Sequence, residues 1–308
     1  MKTENDTQTA AWRIGLIAAA LIVSGCDAVN EIANRGDADT YYYVSLGTSL
    51  SVGVQPNGSG IPLPTDDGYA DQLFDSIRPA FNTAETQDRE LKHIRLGCPG
   101  ETLDDFVNGG SCPYLAGSQL AAAVEFLTDN AGKIHLVTID IGGNDFRNGY
   151  GDCLDTADPI GCADTLSLQI TADLTPVLAA LRAAAGPGTT IIGMNYYNPY
   201  LSSWLEGDAG MALAAQSMEA VANVSGYLDA TYLAAGIPLA DVALAFKSND
   251  ETLVASILPP PNDQGLLPLN VMNICLFTYQ CDLERGPDIH ANTAGYSLIA
   301  ATIEALLP

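Results

Sequence analysis

Apolar residues are grouped along the chain in short runs with a β pattern. Four of the five runs stop at glycine or at an Asn-Pro pair, and the fifth has the weakest β pattern. Short apolar runs that are bounded by turn residues are typical of buried strands. They predict strands over residues 41–46, 93–96, 133–141, 189–197 and 239–246.

Helical periodicity separates these runs, and it predicts helices over residues 69–80, 118–130, 163–185, 209–234 and 294–307. Continuous apolar strands that alternate with amphipathic helices indicate an α/β fold with a parallel sheet covered on both faces. No repeat or linker follows residue 40, which predicts one domain over residues 41–308. Sites in open α/β sheets form at the carboxyl ends of the strands, so the loops after these runs are where chemistry is expected.

The N-terminus has the pattern of a targeting segment. Lys2 and Arg13 precede an apolar stretch over residues 14–23, which is too short to cross a bilayer but is the right size for a signal-peptide core. The following Val-Ser-Gly-Cys26 resembles a bacterial lipobox, in which the cysteine receives a diacylglycerol. We therefore expect a lipoprotein signal peptide over residues 1–25, a tether over 26–40, and export to the cell envelope (periplasm or cell surface) with a lipid anchor at Cys26. The alternative is an ordinary signal peptide with an unrelated cysteine.

The charge balance is strongly acidic, with 37 Asp and Glu residues against 12 Lys and Arg residues and a net charge of −25. Proteins that bind nucleic acid need a basic surface to neutralise phosphates, so this class of partner is excluded. The same charge favours solubility and repels free anionic substrates.

The cysteines also indicate export. Of the seven, six remain after Cys26, and an even number is expected outside the reducing cytosol. Six cysteines allow fifteen pairings, but they lie in close couples, each around a turn-rich loop; a disulfide in such a loop contributes roughly 2–3 kcal/mol on the chain-entropy model. A zinc site is the alternative, but there is no C-x-x-C spacing and no histidine beside the cysteines, so we expect no metal. The predicted couples are Cys98 with Cys112, Cys153 with Cys162, and Cys275 with Cys281.

Four short blocks lie after predicted strands or near the C-terminus. They are residues 44–51 (Val-Ser-Leu-Gly-Thr-Ser-Leu-Ser), 97–102 (Gly-Cys-Pro-Gly-Glu-Thr), 141–145 (Ile-Gly-Gly-Asn-Asp) and 286–292 (Gly-Pro-Asp-Ile-His-Ala-Asn). In this order the blocks resemble those of the SGNH (GDSL-type) serine hydrolases, and the resemblance extends from about residue 41 to the end of the chain. It implies a three-layer α/β/α fold with a five-stranded parallel, flavodoxin-like sheet.

The resemblance also implies catalytic roles. Ser49 would be the nucleophile and His290 the general base, because a serine hydroxyl needs a neighbouring base and a histidine titrates near working pH. The oxyanion hole would consist of the N–H groups of Ser49 and Gly100 and the side-chain amide of Asn144. The structural alternatives are a turn serine, a Pro-Gly turn and a loop asparagine.

Two positions depart from the family pattern. The usual Gly-Asp-Ser is Gly-Thr48-Ser here, and the usual Asp-x-x-His would place an acid where Pro287 lies. Asp288, two residues before the histidine, is the nearest acid. Either its carboxylate reaches the imidazole from an altered turn, or its backbone carbonyl orients the ring in a dyad. Asp282 and Glu284 are further candidates.

The motifs of other enzyme classes are missing: the chain has no G-x-S-x-G, S-x-x-K, H-E-x-x-H, P-loop or G-x-G-x-x-G. Asp66, Asp67 and Asp71 could bind calcium or form a solvated acidic face. The tyrosines at 196, 197 and 200 could wall the substrate cleft or pack at the sheet edge.

The sequence therefore predicts an exported, lipid-anchored carboxylic-ester hydrolase, an esterase or lipase that works through an acyl-enzyme without a cofactor. Its expected partners are an ester substrate, either an acyl lipid or an acylated carbohydrate, and the membrane that holds its anchor. The alternatives are a polysaccharide O-deacetylase or a thioesterase with the same machinery, or a catalytically silent surface binding module.

Overall fold

A computed structural model describes residues 39–81, 89–263 and 265–308. Within them, five strands form a parallel sheet in the order β2-β1-β3-β4-β5, which is the flavodoxin-like doubly wound order. The strands are β1 (Asp39–Gly47), β2 (Arg89–Arg95), β3 (Ile134–Asp140), β4 (Thr190–Met194) and β5 (Leu239–Ala240). The order reverses at β1, so the loops after β1 and β3 leave the same edge of the sheet side by side.

Helices alternate with these strands as the sequence predicts. They are α1 (Tyr69–Phe81), α2 (Leu103–Asn108), α3 (Gln119–Asp129), α4 (Gly143–Leu154), α5 (Pro159–Ala185), α6 (Asp208–Ala234), α7 (Val242–Ala245), α8 (Leu269–Phe277) and α9 (Thr293–Glu304). The predicted helices over 69–80, 118–130, 163–185, 209–234 and 294–307 agree with α1, α3, α5, α6 and α9 to within a few residues. α2, α4, α7 and α8 were not predicted.

The prediction of a strand over residues 239–246 is wrong beyond Ala240. Leu239–Ala240 pairs with β4, and α7 follows at once. Asp241 causes the change, because its side chain caps α7 by accepting a hydrogen bond from the N–H of Leu244 at 3.0 Å. The other four strands overlap the predicted runs: β1 and β2 begin earlier, β3 is one residue shorter at each end, and β4 ends at Met194 and not at residue 197.

Successive residues of the strands point into two separate cores, one on each face of the sheet. On one face, Val44 and Ile139 pack with α3, α4, α5 and α6. On the other, Tyr43 and Leu136 pack with α1, α7 and α9. Each such side chain is fully buried, and burying an aliphatic side chain contributes roughly 1.5–3 kcal/mol. The chain thus has the three-layer α/β/α architecture, with the sheet between the two helix layers.

Two short antiparallel strand pairs and a 3-10 helix lie in the loops. Gln55–Pro56 pairs with Pro62–Leu63, and Leu253–Ala255 pairs with Leu266–Pro268, both antiparallel. A 3-10 helix over Pro199–Glu206 follows β4 and packs against α6. These hairpins lie outside the predicted strands.

Three disulfides join the couples that the spacing indicates. They are Cys98–Cys112, Cys153–Cys162 and Cys275–Cys281, with Cα–Cα distances of 6.0, 5.4 and 5.0 Å. Cys98 and Cys112 also lie near the Glu101 carboxylate. Because their sulfurs are bonded to each other, they offer no thiolate to a metal.

The predicted signal peptide and Cys26 lie outside the described residues. In the ranges that are described, none of the helices combines the length and the apolar character that crossing a bilayer requires.

Candidate active site

Ser49 lies in the loop that follows β1 and is 9% exposed. Hydrogen bonds hold the backbone of this loop in place: the N–H of Val54 donates to the carbonyl of Ser49 at 2.9 Å, and the hydroxyl of Ser51 donates to the carbonyl of Thr48 at 2.8 Å. The serine that the sequence singles out therefore sits on a fixed turn at the carboxyl edge of the sheet.

Gly47 precedes this turn with a φ of +125°, a conformation that favours glycine. A Cβ at this position would lie 2.3 Å from the carbonyl oxygen of Asp140. Gln119 on α3 binds both sides of Gly47, accepting from its N–H at 2.6 Å and donating to its carbonyl at 3.0 Å. Only glycine therefore fits where β1 leads into the loop.

Asn144 lies in the first turn of α4, directly after β3. Its side-chain Nδ2 donates to the carbonyl of Glu101 at 2.9 Å, and its neighbour Asp145 accepts from the N–H of Leu103 at 3.0 and 3.1 Å. These bonds tie the loop that holds Gly100 to the start of α4. Gly100 itself has a φ of +80°, and a Cβ there would meet no atom within 4 Å, so its backbone conformation is what requires glycine.

His290 contacts Asp288 through the carboxylate. Oδ1 of Asp288 lies 2.7 Å from Nδ1 of His290 and accepts the N–H of the same residue at 2.9 Å. A carboxylate only accepts hydrogen bonds, so Nδ1 carries the proton and Nε2 is left as the basic nitrogen. Asp282 instead contacts Arg285, with Oδ2 accepting from Nη2 at 2.8 Å.

The pKa of Asp288 is lower than its usual value. Burial alone would raise the pKa of this carboxyl, but the hydrogen bonds from His290 and the positive charge of Arg147 outweigh that effect. The carboxylate is therefore ionised at neutral pH, as an acid that orients an imidazole must be.

One cavity at the carboxyl edge of the sheet brings three of the predicted site residues together. Ser49, Asn144 and His290 line it, whereas Gly100 is not among its lining residues. Its remaining walls are mostly apolar and aromatic: Leu50, Phe146, Tyr196, Tyr197, Pro199, Tyr200, Val221, Val224, Leu228 and Ile289. The three tyrosines that follow β4 thus all wall the cavity.

Asp140 is a buried acid in contact with Thr48 that the sequence pattern did not indicate. It ends β3, it is 0% exposed, and both the N–H and the hydroxyl of Thr48 donate to its Oδ1. Burial raises the pKa of this carboxyl to about 7, against the hydrogen bonds from Thr48 that lower it. Its one sequence signal is a charged residue at the end of the most apolar predicted strand.

Glu101 is a second buried acid, 1% exposed, directly after Gly100. Burial raises the pKa of Glu101 to about 7, and its Oε2 has no hydrogen-bond partner in the described part of the chain. Its carboxylate lies near the bonded sulfurs of Cys98 and Cys112.

The other histidines and acids singled out in the sequence are engaged elsewhere. His93 stacks on Tyr43 with ring centroids 4.6 Å apart, and burial lowers its pKa to about 3. His135 packs edge-on against the ring of Phe81. Three carboxylates that could bind calcium have protein donors: Asp66 and Asp71 contact Arg95, and Asp67 accepts from Gln72.

No family model and no curated protein sequence matches the chain. Solved structures match its fold. The lipase Lip_vut3 from a goat rumen metagenome aligns with a TM-score of 0.54 and 17% identity over 86% of this chain and 96% of the lipase. The extracellular lipase of Streptomyces rimosus aligns with a TM-score of 0.52 and 18% identity over 85% of this chain and 99% of the lipase.

A member of the lipolytic G-D-S-L family from Veillonella parvula also aligns, with a TM-score of 0.44 and 14% identity over 86% of this chain and 97% of that protein. The chain thus shares its fold, with a five-stranded parallel sheet flanked by helices, with the two lipases. A fold does not fix a reaction, so the function has to be argued from the site.

Proposed function

We propose that this protein is a carboxylic-ester hydrolase, an esterase or lipase, that works through an acyl-enzyme on Ser49. The observation that carries the proposal is that one cavity is lined by Ser49, Asn144 and His290. Asp288 supports it, because its carboxylate bonds Nδ1 of the histidine and leaves the other ring nitrogen free to accept a proton.

In the first half of the reaction, Oγ of Ser49 attacks the ester carbonyl carbon. Nε2 of His290 takes the serine proton and then gives it to the leaving alcohol as the carbon–oxygen bond breaks. In the second half, the same nitrogen takes a proton from water, whose oxygen attacks the acyl carbon. Ser49 leaves with that proton, and the carboxylic acid is released.

The tetrahedral oxyanion needs donors that are already in place. We propose the N–H groups of Ser49 and Gly100 and the side-chain amide of Asn144 for this task. One N–H of that amide donates to the carbonyl of Glu101, which fixes the group and leaves its second N–H for the oxyanion.

The cavity walls favour an acyl chain as the group that the site binds. Val221, Val224 and Leu228 share one face of α6 and line the cavity together with Phe146 and Tyr200. An acetyl group on a polysaccharide would leave most of this apolar surface uncovered. An acyl lipid would bury it, so we propose acyl esters as the substrate class.

Hydrolysis of p-nitrophenyl butyrate and decanoate tests this function. Acetylated xylan and an acyl thioester, assayed separately, represent the alternative substrate classes. We expect turnover of the p-nitrophenyl esters, a preference for decanoate, and loss of activity on both in Ser49→Ala. Matching circular dichroism and melting temperature would show that this variant folds. Equal rates for wild type and Ser49→Ala on every ester would refute the proposal, and activity confined to the acetylated xylan or the thioester would refute the acyl-ester substrate.

We also propose that the protein is exported and anchored by lipid at Cys26, on the strength of the lipobox-like Val-Ser-Gly-Cys26 and the disulfides. When the full chain is expressed in a bacterium, it should fractionate with membranes. Cys26→Ser should release it or stop its processing, whereas Ser24→Ala, which keeps a small residue before the cysteine, should leave it membrane-bound. Retention of a processed Cys26→Ser chain in membranes, with its signal segment removed, would contradict the anchor.

A further inference from the structure

Asp140 is buried at the point where β1 leads into the Ser49 turn. It is paired in register with Gly47, because β1 and β3 are neighbouring parallel strands that end together. The site chemistry proposed above does not use this carboxyl. It forms no ion pair with any Lys, Arg or His in the ranges that the structure describes.

Two of the hydrogen bonds to this carboxylate come from one residue, Thr48. Oδ1 accepts the N–H of Thr48 at 2.6 Å and the hydroxyl of Thr48 at 2.7 Å. Oδ2 accepts the hydroxyl of Tyr69 on α1 at 2.8 Å. A single oxygen therefore fixes both the backbone and the side chain of the residue before Ser49, with hydrogen bonds that an ionised acceptor strengthens.

The location of this acid is unfavourable for stability alone. Burying a carboxyl group without a cation costs free energy, whereas an amide or a hydroxyl could accept from Thr48 at lower cost. Gln119 already holds Gly47 in this way from the other side of the turn. The acid is therefore best explained by what it does to the turn that it contacts.

We propose that Asp140 is a positioning residue, which acts through Thr48 to hold the Ser49 hydroxyl in its attacking orientation. This inference rests on the function proposed for Ser49. Thr48 stands where the family pattern has aspartate. In this chain the turn therefore supplies the hydroxyl donor, and the neighbouring strand β3 supplies the carboxylate of Asp140.

Substitutions at Thr48 test the link, because valine has nearly the shape of threonine but no hydroxyl. We expect Thr48→Ser to keep kcat within about threefold of wild type. Thr48→Val should lower kcat on p-nitrophenyl butyrate by about 10-fold or more with KM within threefold, since positioning affects the attack and not binding. A kcat of Thr48→Val within twofold of that of Thr48→Ser would overturn the proposal.

Thr189→Val is the matched control. Thr189 is also buried, and its hydroxyl donates to the carbonyl of Ala185 at 2.7 Å at the opposite edge of the sheet. We expect this variant to lose stability comparably and to keep kcat within twofold of wild type. An equal loss of kcat in Thr189→Val would show that stability, and not the position of Ser49, explains the result.

A double-mutant cycle shows whether both residues act as one unit. Asp140→Ala should lower kcat at least as much as Thr48→Val, and the double variant should be no more than twofold below Asp140→Ala. If the kcat losses of the two single variants multiply in the double variant, Asp140 does not act through Thr48. If Asp140→Ala does not fold, Asp140→Asn replaces it, and Thr48→Val should then lower kcat less when it is combined with Asp140→Asn than when it is made in the wild type.

Hydrogen–deuterium exchange separates this inference from the proposed function. The N–H of Thr48 is protected by its bond to Asp140, so the peptide that spans residues 46–51 should exchange faster in Asp140→Ala, which removes the acceptor, than in wild type. This readout applies even if the wild type hydrolyses no ester, in which case the function fails and the structural link stands. Unchanged exchange would contradict the link itself.

Discussion

Oδ1 of Asp288 bonds His290 twice, at 2.7 Å to the ring Nδ1 and at 2.9 Å to the backbone N–H. The shared oxygen fixes the angle between the imidazole and its own backbone. An acid two residues before the histidine thereby contacts the ring with its carboxylate, although the family pattern has the acid three residues before. Of the two alternatives left open by the sequence, this geometry has the carboxylate and not the backbone carbonyl on the ring.

Asp288→Asn should lower kcat on p-nitrophenyl esters by roughly 10²–10⁴-fold with little change in KM. The amide does not stabilise a protonated imidazole, and it favours the wrong ring tautomer. Steady-state kinetics at pH 7–8 measures this. Asp282→Asn is the control, because Asp282 lies in the same loop but bonds Arg285. An Asp288→Asn enzyme within threefold of wild type would mean that the ring needs no carboxylate.

Asn144→Ala should lower kcat by roughly 10²–10³-fold, the usual cost of removing one oxyanion donor. KM should change little, since the donor acts mainly in the transition state. Asn130→Ala is a matched control: the amides of Asn144 and Asn130 both donate to a backbone carbonyl at 2.9 Å, but Asn130 ends α3 away from the cavity. Equal kinetics in the two variants would remove Asn144 from the proposed oxyanion hole.

Val224→Phe should narrow the apolar part of the cavity. We expect the ratio of kcat/KM for decanoate to that for butyrate to fall by about 10-fold, because the longer chain loses its contacts. Leu233→Phe on the same helix is the control, since Leu233 is 75% exposed and is not part of the cavity wall. An equal fall of kcat/KM for both substrates would mean that the acyl chain binds elsewhere.

Glu101→Gln should stabilise the protein more at pH 8 than at pH 5. The pKa of Glu101 is raised to about 7 by burial, so ionising it costs the folded state free energy that is absent below the unfolded pKa and complete above pH 7. The free energy of unfolding of the variant minus that of the wild type should grow by roughly 1–2 kcal/mol from pH 5 to pH 8.

Urea unfolding of both proteins at the two pH values measures this growth. Other buried acids such as Asp140 titrate in both proteins, so their contributions cancel in the difference. A difference that is the same at pH 5 and pH 8 would show that Glu101 ionises without penalty.

The sequence predicted the parts of the fold that depend on local patterns. Strand β1 stops at Gly47 and β3 stops just before a Gly-Gly pair, so their loops could be located, and with them Ser49 and Asn144. Helix α4 escaped prediction because Gly149 and Gly151 lower its helix propensity, while packing against α5 stabilises it.

Long-range contacts could not be predicted in this way. The role of Asp140 depends on Thr48, which lies 92 residues earlier in the chain, and no local pattern links the two. The contact of Asp288 with the ring of His290 depends on the backbone path of one turn, which the sequence left open between two geometries. The reactive side chains at the strand ends could be predicted from the sequence, but the residues that hold them in place could not.

Mass mapping of a fluorophosphonate adduct tests the central claim most directly. An activated serine displaces fluoride and keeps the phosphonyl group on its oxygen. We predict one adduct in the wild type, on Ser49 and not on neighbouring Ser51, and none in Ser49→Ala or His290→Ala, both checked for folding by their melting temperatures. An unlabelled wild type, or a label on another serine, would contradict the account.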